Sequence, residues 1–144
     1  MAAGKVNFRL PKAPALSVWA ARILIGIVVA LNLQCALAFL LNAEAFAPGF
    51  ELSGAPGAAA VRGTAVLFIM WNIPYLVALW NPRRNRVSLW EALAMQVVGV
   101  IGESAILIPL SPEHAILRAS LVRFVAFDAA GVIALAGAAL LARK

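Results

Sequence analysis

The chain has 144 residues, 64% of them hydrophobic and only 12% charged, with a mean hydropathy of +0.94. A water-soluble domain does not keep that composition, so the bilayer is the expected solvent. The net charge of +6 would suggest nucleic acid in a soluble protein, but here the basic residues flank apolar runs, so membrane lipids with anionic headgroups are the expected partners and nucleic acid is not.

Residues 1–17 carry Lys5, Arg9 and Lys12 with Pro11 and Pro14 and no long apolar face, and read as a basic cytoplasmic tail. The first apolar run, about 18–41, is followed by Ala-x-Ala spacing at Ala43 and Ala45, which invites a signal-peptide reading. The run is longer than a signal core, so it is read as a retained span. Residues 42–57 have loop composition, with Pro48, Gly49, Gly54, Pro56 and Gly57, and Phe46 and Phe50 are expected at the membrane interface.

The second span, about 58–80, contains Pro74, whose missing N–H is expected to bend it near Met70 and Trp71 and to turn Asn72 inward. It stops at Asn81-Pro82, and Arg83-Arg84-Asn85-Arg86 makes a tight basic turn. The third and fourth spans are expected at about 89–110 and 115–142, each long enough to cross. Nine of the twelve Lys and Arg residues then fall on one side, namely Lys5, Arg9, Lys12, Arg22, Arg83, Arg84, Arg86, Arg143 and Lys144. The positive-inside rule makes that side cytoplasmic, and Trp19, Trp80 and Trp90 lie near the same interface. The expected fold is an all-α integral membrane antiparallel four-helix bundle with both ends inside, in the cell membrane, of the bacterial inner-membrane kind.

Polar residues within the spans fall at two depths. At 1.5 Å per residue, Glu103 lies roughly 10 Å and Arg123 roughly 12 Å from the outer ends of spans three and four, level enough for an intramembrane ion pair. Gln34 and Arg62 join them in an outer tier. Asn72, Gln96 and Asp128 form a second tier roughly 20 Å deep. Gln96 and Glu103, seven residues apart, share one face of span three, and Gly99 and Gly102 between them allow close helix approach. Two readings follow: hydrogen-bonding glue between helices, or a polar pocket with Glu103 or Asp128 as the titratable group and Trp71 and Tyr75 as its wall. Ala126, Ala130, Ala134 and Ala138, spaced by four, read as a packing seam.

One cysteine, Cys35, and one histidine, His114, exclude an intrachain disulfide and a bis-histidine haem. Too few ligands remain for zinc or di-iron, so no metal and no cofactor are expected. GxSxG and Gly-rich phosphate-loop motifs are absent, as is the lone acid in span one that marks small multidrug exporters.

Arg22 opening span one, Asn42-Ala43-Glu44-Ala45-Phe46-Ala47-Pro48 after it, the Gly54-Ala55-Pro56-Gly57 turn, Arg62-Gly63 and the basic turn before span three together resemble the DoxX-like group of small four-helix membrane proteins. Some members of that group are small subunits of quinone-linked oxidoreductases. The acid that many members carry early in span two has no counterpart in Thr64 to Met70. The leading functional expectation is a small accessory subunit of a larger membrane complex, related to electron transfer, with lipid or quinone contacts and other membrane protein subunits as partners. The alternatives are a membrane-embedded acid–base isomerase or cyclase on a lipid-soluble substrate, using Asp128 or Glu103, and a small-solute carrier.

Overall fold

The computed structural model describes residues 16–143. Most of the basic tail, with Lys5, Arg9 and Lys12, and the terminal Lys144 lie outside the described residues. Four long helices dominate: α1 (Leu16–Leu41), α3 (Gly54–Trp80), α4 (Arg86–Leu107) and α5 (Ala115–Arg143), with a one-turn helix α2 (Ala43–Phe46) and a 3-10 turn (Ala47–Phe50) between α1 and α3. No strand occurs among the described residues. At 1.5 Å per residue the long helices measure roughly 33 to 44 Å, more than the roughly 30 Å of a hydrocarbon core. All four are long and apolar enough to cross a membrane, as in a multi-pass membrane protein. Ile23, Ile27, Ile73, Val98, Ile101 and Ile133 are exposed on their outer surfaces, where lipid tails and not water suit them.

The boundaries follow from local chemistry. Pro82 pushes Asn81 out of the helical region, and Asn81 sits extended at φ −156°, ψ 97°, ending α3. Its side-chain oxygen accepts from the backbone N–H groups of Arg83 and Arg84, which closes the basic turn. The orphaned carbonyls at the end of α3 are taken by side chains: Asn85 Nδ2 donates to Val77 O at 2.7 Å and Arg22 Nε to Leu79 O at 3.1 Å. The Gly54 to Gly57 segment differs from the expected turn. It is the first turn of α3, where Pro56 is tolerated because its N–H would have had no helical partner.

Helices adjoin in the ring α1, α3, α4, α5 and back to α1. At the end that holds Leu16, the Asn81 to Asn85 turn and Arg143, small residues pack tightly: Ala21, Ala78, Ala92 and Ala138 are fully buried around Ile25 and Leu135. The alanine seam expected along α5 is only half realised. Ala134 and Ala138 face the core, while Ala126 and Ala130 are exposed, and the buried line runs instead through Gly131, Leu135, Ala138 and Ala142. A strict spacing of four drifts around a helix of 3.6 residues per turn, so the seam leaves the interface after two turns.

Candidate functional site: a hollow half-bundle

The other half of the bundle is not filled. A cavity of about 920 Å³ lies between the four long helices under the 3-10 turn. Its floor is polar. Tyr75 of α3, 2% exposed, donates its hydroxyl to Gln96 Oε1 of α4 at 2.7 Å, and Gln96 Nε2 donates to Asp128 Oδ1 of α5 at 2.7 Å. Three helices are thus tied by one chain of hydrogen bonds ending on a carboxylate.

Two glycines make that chain possible. A Cβ on Gly99 would meet the Asp128 carboxylate, and one on Gly131 would meet the Gln96 side chain at 2.5 Å. Each polar side chain lies over the other helix's glycine, three residues beyond the other helix's own polar residue. Gln96-x-x-Gly99 and Asp128-x-x-Gly131 are therefore reciprocal knob and notch. Gly102, by contrast, borders the cavity, and a Cβ added there would have nothing within 4 Å.

The expected deep tier is brought together: Asn72, Gln96 and Asp128 all line the cavity, as do Trp71 and Tyr75. Asn72 is 1% exposed; its Nδ2 donates to Phe68 O at 2.7 Å, and its Oδ1 has no partner. Pro74 lies inside a helix that stays continuous to Trp80. Of the outer tier, Gln34, Glu103 and Arg123 reach the cavity, but Arg62 does not; it is half-exposed and approaches Glu44 at 3.9 Å.

The expected Glu103–Arg123 ion pair is not formed. Arg123 Nη2 donates to Ser120 Oγ at 3.0 Å, and Glu103 Oε2 is buried without a partner. Depth placed the two residues level but said nothing of rotation. Arg123 precedes Asp128 by five residues, about 140° around the helix, so a helix that aims Asp128 at α4 turns Arg123 away from it. Arg118 is likewise accounted for by backbone, donating to the Leu107 and Leu110 carbonyls at the end of α4.

The cavity's other wall is aromatic. Six of the seven phenylalanines line it, so this surface is apolar without hydroxyls to satisfy. Phe39 is the hub, with ring centroids 4.9 Å from Phe46, 5.7 Å from Phe50, 6.1 Å from Phe68 and 6.2 Å from Phe124. Phe46 and Phe50, expected at the interface, also line this cavity, Phe46 staying partly exposed.

The segment that bears Phe46 and Phe50 is fastened to the start of α5. Ser120 Oγ donates to Gly49 O at 2.6 Å, His114 Nδ1 donates to Glu51 Oε2 at 2.6 Å, and Glu51 Oε1 accepts from the Leu117 N–H at 3.3 Å, capping α5 from a distant part of the chain. The hydrogen bond from His114 holds the Glu51 carboxyl below its usual range, and the same bond, with the Glu51 charge, raises the His114 imidazole above its own. Sequence reasoning did not find Ser120, Gly131, the phenylalanine wall or the Glu51–His114 pair. The polar-x-x-Gly spacing shared by α4 and α5 was the readable sign of the first interlock.

Among the described residues no group of three or more His, Cys, Asp or Glu is placed to hold a metal ion. No known protein family, curated protein or solved structure matches the chain.

Proposed function

We propose that this protein holds a lipid-soluble small molecule inside its bundle, gripping an apolar body against the phenylalanine wall and a polar end at the Tyr75, Gln96, Asp128 and Glu103 floor. The carrying observation is the cavity itself: about 920 Å³, of the size that takes a drug-sized ligand, apolar on one side with a few convergent polar groups on the other. Helix glue alone accounts for the Gln96–Asp128 interlock but not for an unfilled space beside it. Leaving that space costs dispersion contacts that lipid-embedded helices depend on for association.

The proposed setting is the cell membrane of a bacterium, in an antiparallel bundle with both ends on the cytoplasmic side. The support is the basic turn at Arg83 to Arg86, and the indoles beside it: Arg22 stacks over Trp19 at 4.6 Å and Arg143 over Trp90 at 5.8 Å. In a Cys35→Ser background, a membrane-impermeant thiol reagent added to intact cells should modify a cysteine at position 53 and not one at position 85. Modification at 85 reverses the topology.

Within that setting the chain acts as a small subunit beside larger membrane proteins, and the DoxX-like resemblance suggests quinone-linked partners. A second reading, an acid–base isomerase or cyclase acting on the bound molecule, is favoured by one observation, the hydrogen-bond chain that delivers Asp128 to the cavity with its second oxygen uncommitted to Gln96. The test of the binding reading is extraction in native lipid discs followed by mass spectrometry of the retained small molecules. Wild type should retain one apolar species above the bulk lipid, and Gly102→Leu, whose side chain starts in open space and intrudes on the cavity, should not. Identical small-molecule content in the two would overturn the reading.

A further inference from the structure

The cavity's unmet hydrogen-bonding needs are one-sided. Two buried side-chain atoms on its wall have no partner, Asn72 Oδ1 and Glu103 Oε2, and both are acceptors. The Asn72 amide cannot be turned to change this, because its Nδ2 is committed to the Phe68 carbonyl and an oxygen there would face another oxygen. Three donors near these atoms are directed elsewhere, Tyr75 to Gln96, Gln96 to Asp128 and Arg123 Nη2 to Ser120.

Charge is uneven too: Glu103 and Asp128 line the cavity against one guanidinium, that of Arg123, which donates to Ser120. Glu103 follows Gly99 by one helical turn on the same face of α4, and the Asp128 carboxylate lies over Gly99, so both carboxylates border one stretch of the cavity. No Lys or Arg nitrogen lies within 4.0 Å of either among the described residues, where the ion pairs are Arg62 with Glu44 and His114 with Glu51 and Glu113. Half-buried carboxylates without a close counter-charge are costly, and an occupant that brings a positive charge and N–H donors removes both deficits at once. Trp71, Phe68, Phe124 and Phe127 line the same space, and aromatic rings attract cations.

We infer that the occupant is a lipophilic ammonium ion, a primary or secondary amine in its charged form, with its head between Glu103 and Asp128 and its hydrocarbon or aryl body against the phenylalanine wall. The inference rests on the binding reading above and narrows it to one chemical class. A neutral quinone offers the two orphaned acceptors nothing, and a quinol brings donors without charge.

Calorimetry on the full chain in phosphatidylcholine nanodiscs near neutral pH separates these cases, with empty discs subtracted and phenylbutylamine and the neutral phenylbutanol as probes. The amine should bind saturably and the alcohol at least about tenfold more weakly. Glu103→Gln should weaken the amine roughly ten- to a hundredfold and leave the alcohol unchanged. Asp128→Asn, which keeps an acceptor for Gln96, should act in the same direction and serves if Glu103→Gln does not fold. Equal binding of the two probes, or amine binding indifferent to both substitutions, overturns the ammonium inference and leaves the cavity reading standing. Failure of both probes to bind wild type above the empty-disc level overturns both readings.

Discussion

The two halves of this bundle are built from the same four helices in the same solvent, yet one is packed and the other hollow. In the packed half, alanines at 21, 78, 92 and 138 let backbones approach until Ile25 and Leu135 fill what remains. In the hollow half, Phe39, Phe50, Phe68 and Phe124 lean on one another and frame the cavity beneath them. Water is absent from the lipid phase, so nothing outside the protein forces such a space closed, and van der Waals contact is the main force that would. The difference teaches that a membrane bundle can stay hollow where large rings brace one another, provided small residues lock the helices elsewhere.

The lock between the halves is the place to break that comparison with the largest effect. Gly131→Ala places a methyl group against the Gln96 amide, and Gly99→Ala places one against the Asp128 carboxylate, so either should cost about 3 kcal/mol by clash and lost hydrogen bonding. Gly102→Ala, one turn above and facing open space, should be neutral or stabilising by up to about 1 kcal/mol through helix propensity alone. Thermal unfolding in detergent, followed by helical circular dichroism, ranks the three. Equal effects at 99 and 102 would remove the notch from the account.

A smaller effect is expected from Tyr75→Phe, which keeps the ring and deletes the donor to Gln96. The loss of one buried hydrogen bond should cost about 1 to 2 kcal/mol. In combination with Gln96→Leu the two losses should not add, because the first already removes the shared bond. Additive losses in that double-mutant cycle would mean Tyr75 and Gln96 act independently.

The smallest effect belongs to the fastening of the 42–53 segment. His114 has its pKa raised from an ordinary 6.5, so its contribution is fully present below that value and fades as pH rises through the raised one. Glu51 has its pKa lowered from 4.5, so its contribution is fully present above 4.5 and fades as pH falls through the lowered value. The fastening is therefore strongest between those two ordinary values. Proteolysis within 42–53 should speed up as pH goes from about 6 to about 8, and His114→Ala should flatten that change. Glu113, whose carboxylate lies 4.0 Å from His114 Nε2, adds to the same trend. A pH profile unchanged in His114→Ala would dissociate the pair from the segment.

Helix content was legible in the residues because four apolar runs of spanning length leave little else to build. The deep tier was legible for a simple reason: depth follows from counting residues, and Asn72, Gln96 and Asp128 count to the same level. What counting cannot give is rotation about each helix axis. Glu103 and Arg123 were level yet turned apart, and Arg62 was near the right height on a face that meets Glu44. The phenylalanine wall was hidden for another reason, since Phe39, Phe50, Phe68 and Phe124 come from distant parts of the chain and converge only in the folded bundle. The Glu51–His114 pair spans 63 positions and leaves no local pattern.

The measurement that bears most directly on a hollow half beside a packed one is the same enlargement made in both. Gly102 borders open cavity, whereas a Cβ on Gly137 would already be in contact with Leu24 Cδ1 at 3.5 Å, so that a larger side chain must displace Leu24. Melting temperatures of Gly102→Leu and Gly137→Leu, taken in the same detergent, should move apart: the first unchanged or raised, the second lowered by an amount matching roughly 1 to 3 kcal/mol of overpacking. A Gly102→Leu variant that melts as low as Gly137→Leu would mean that the space is not there.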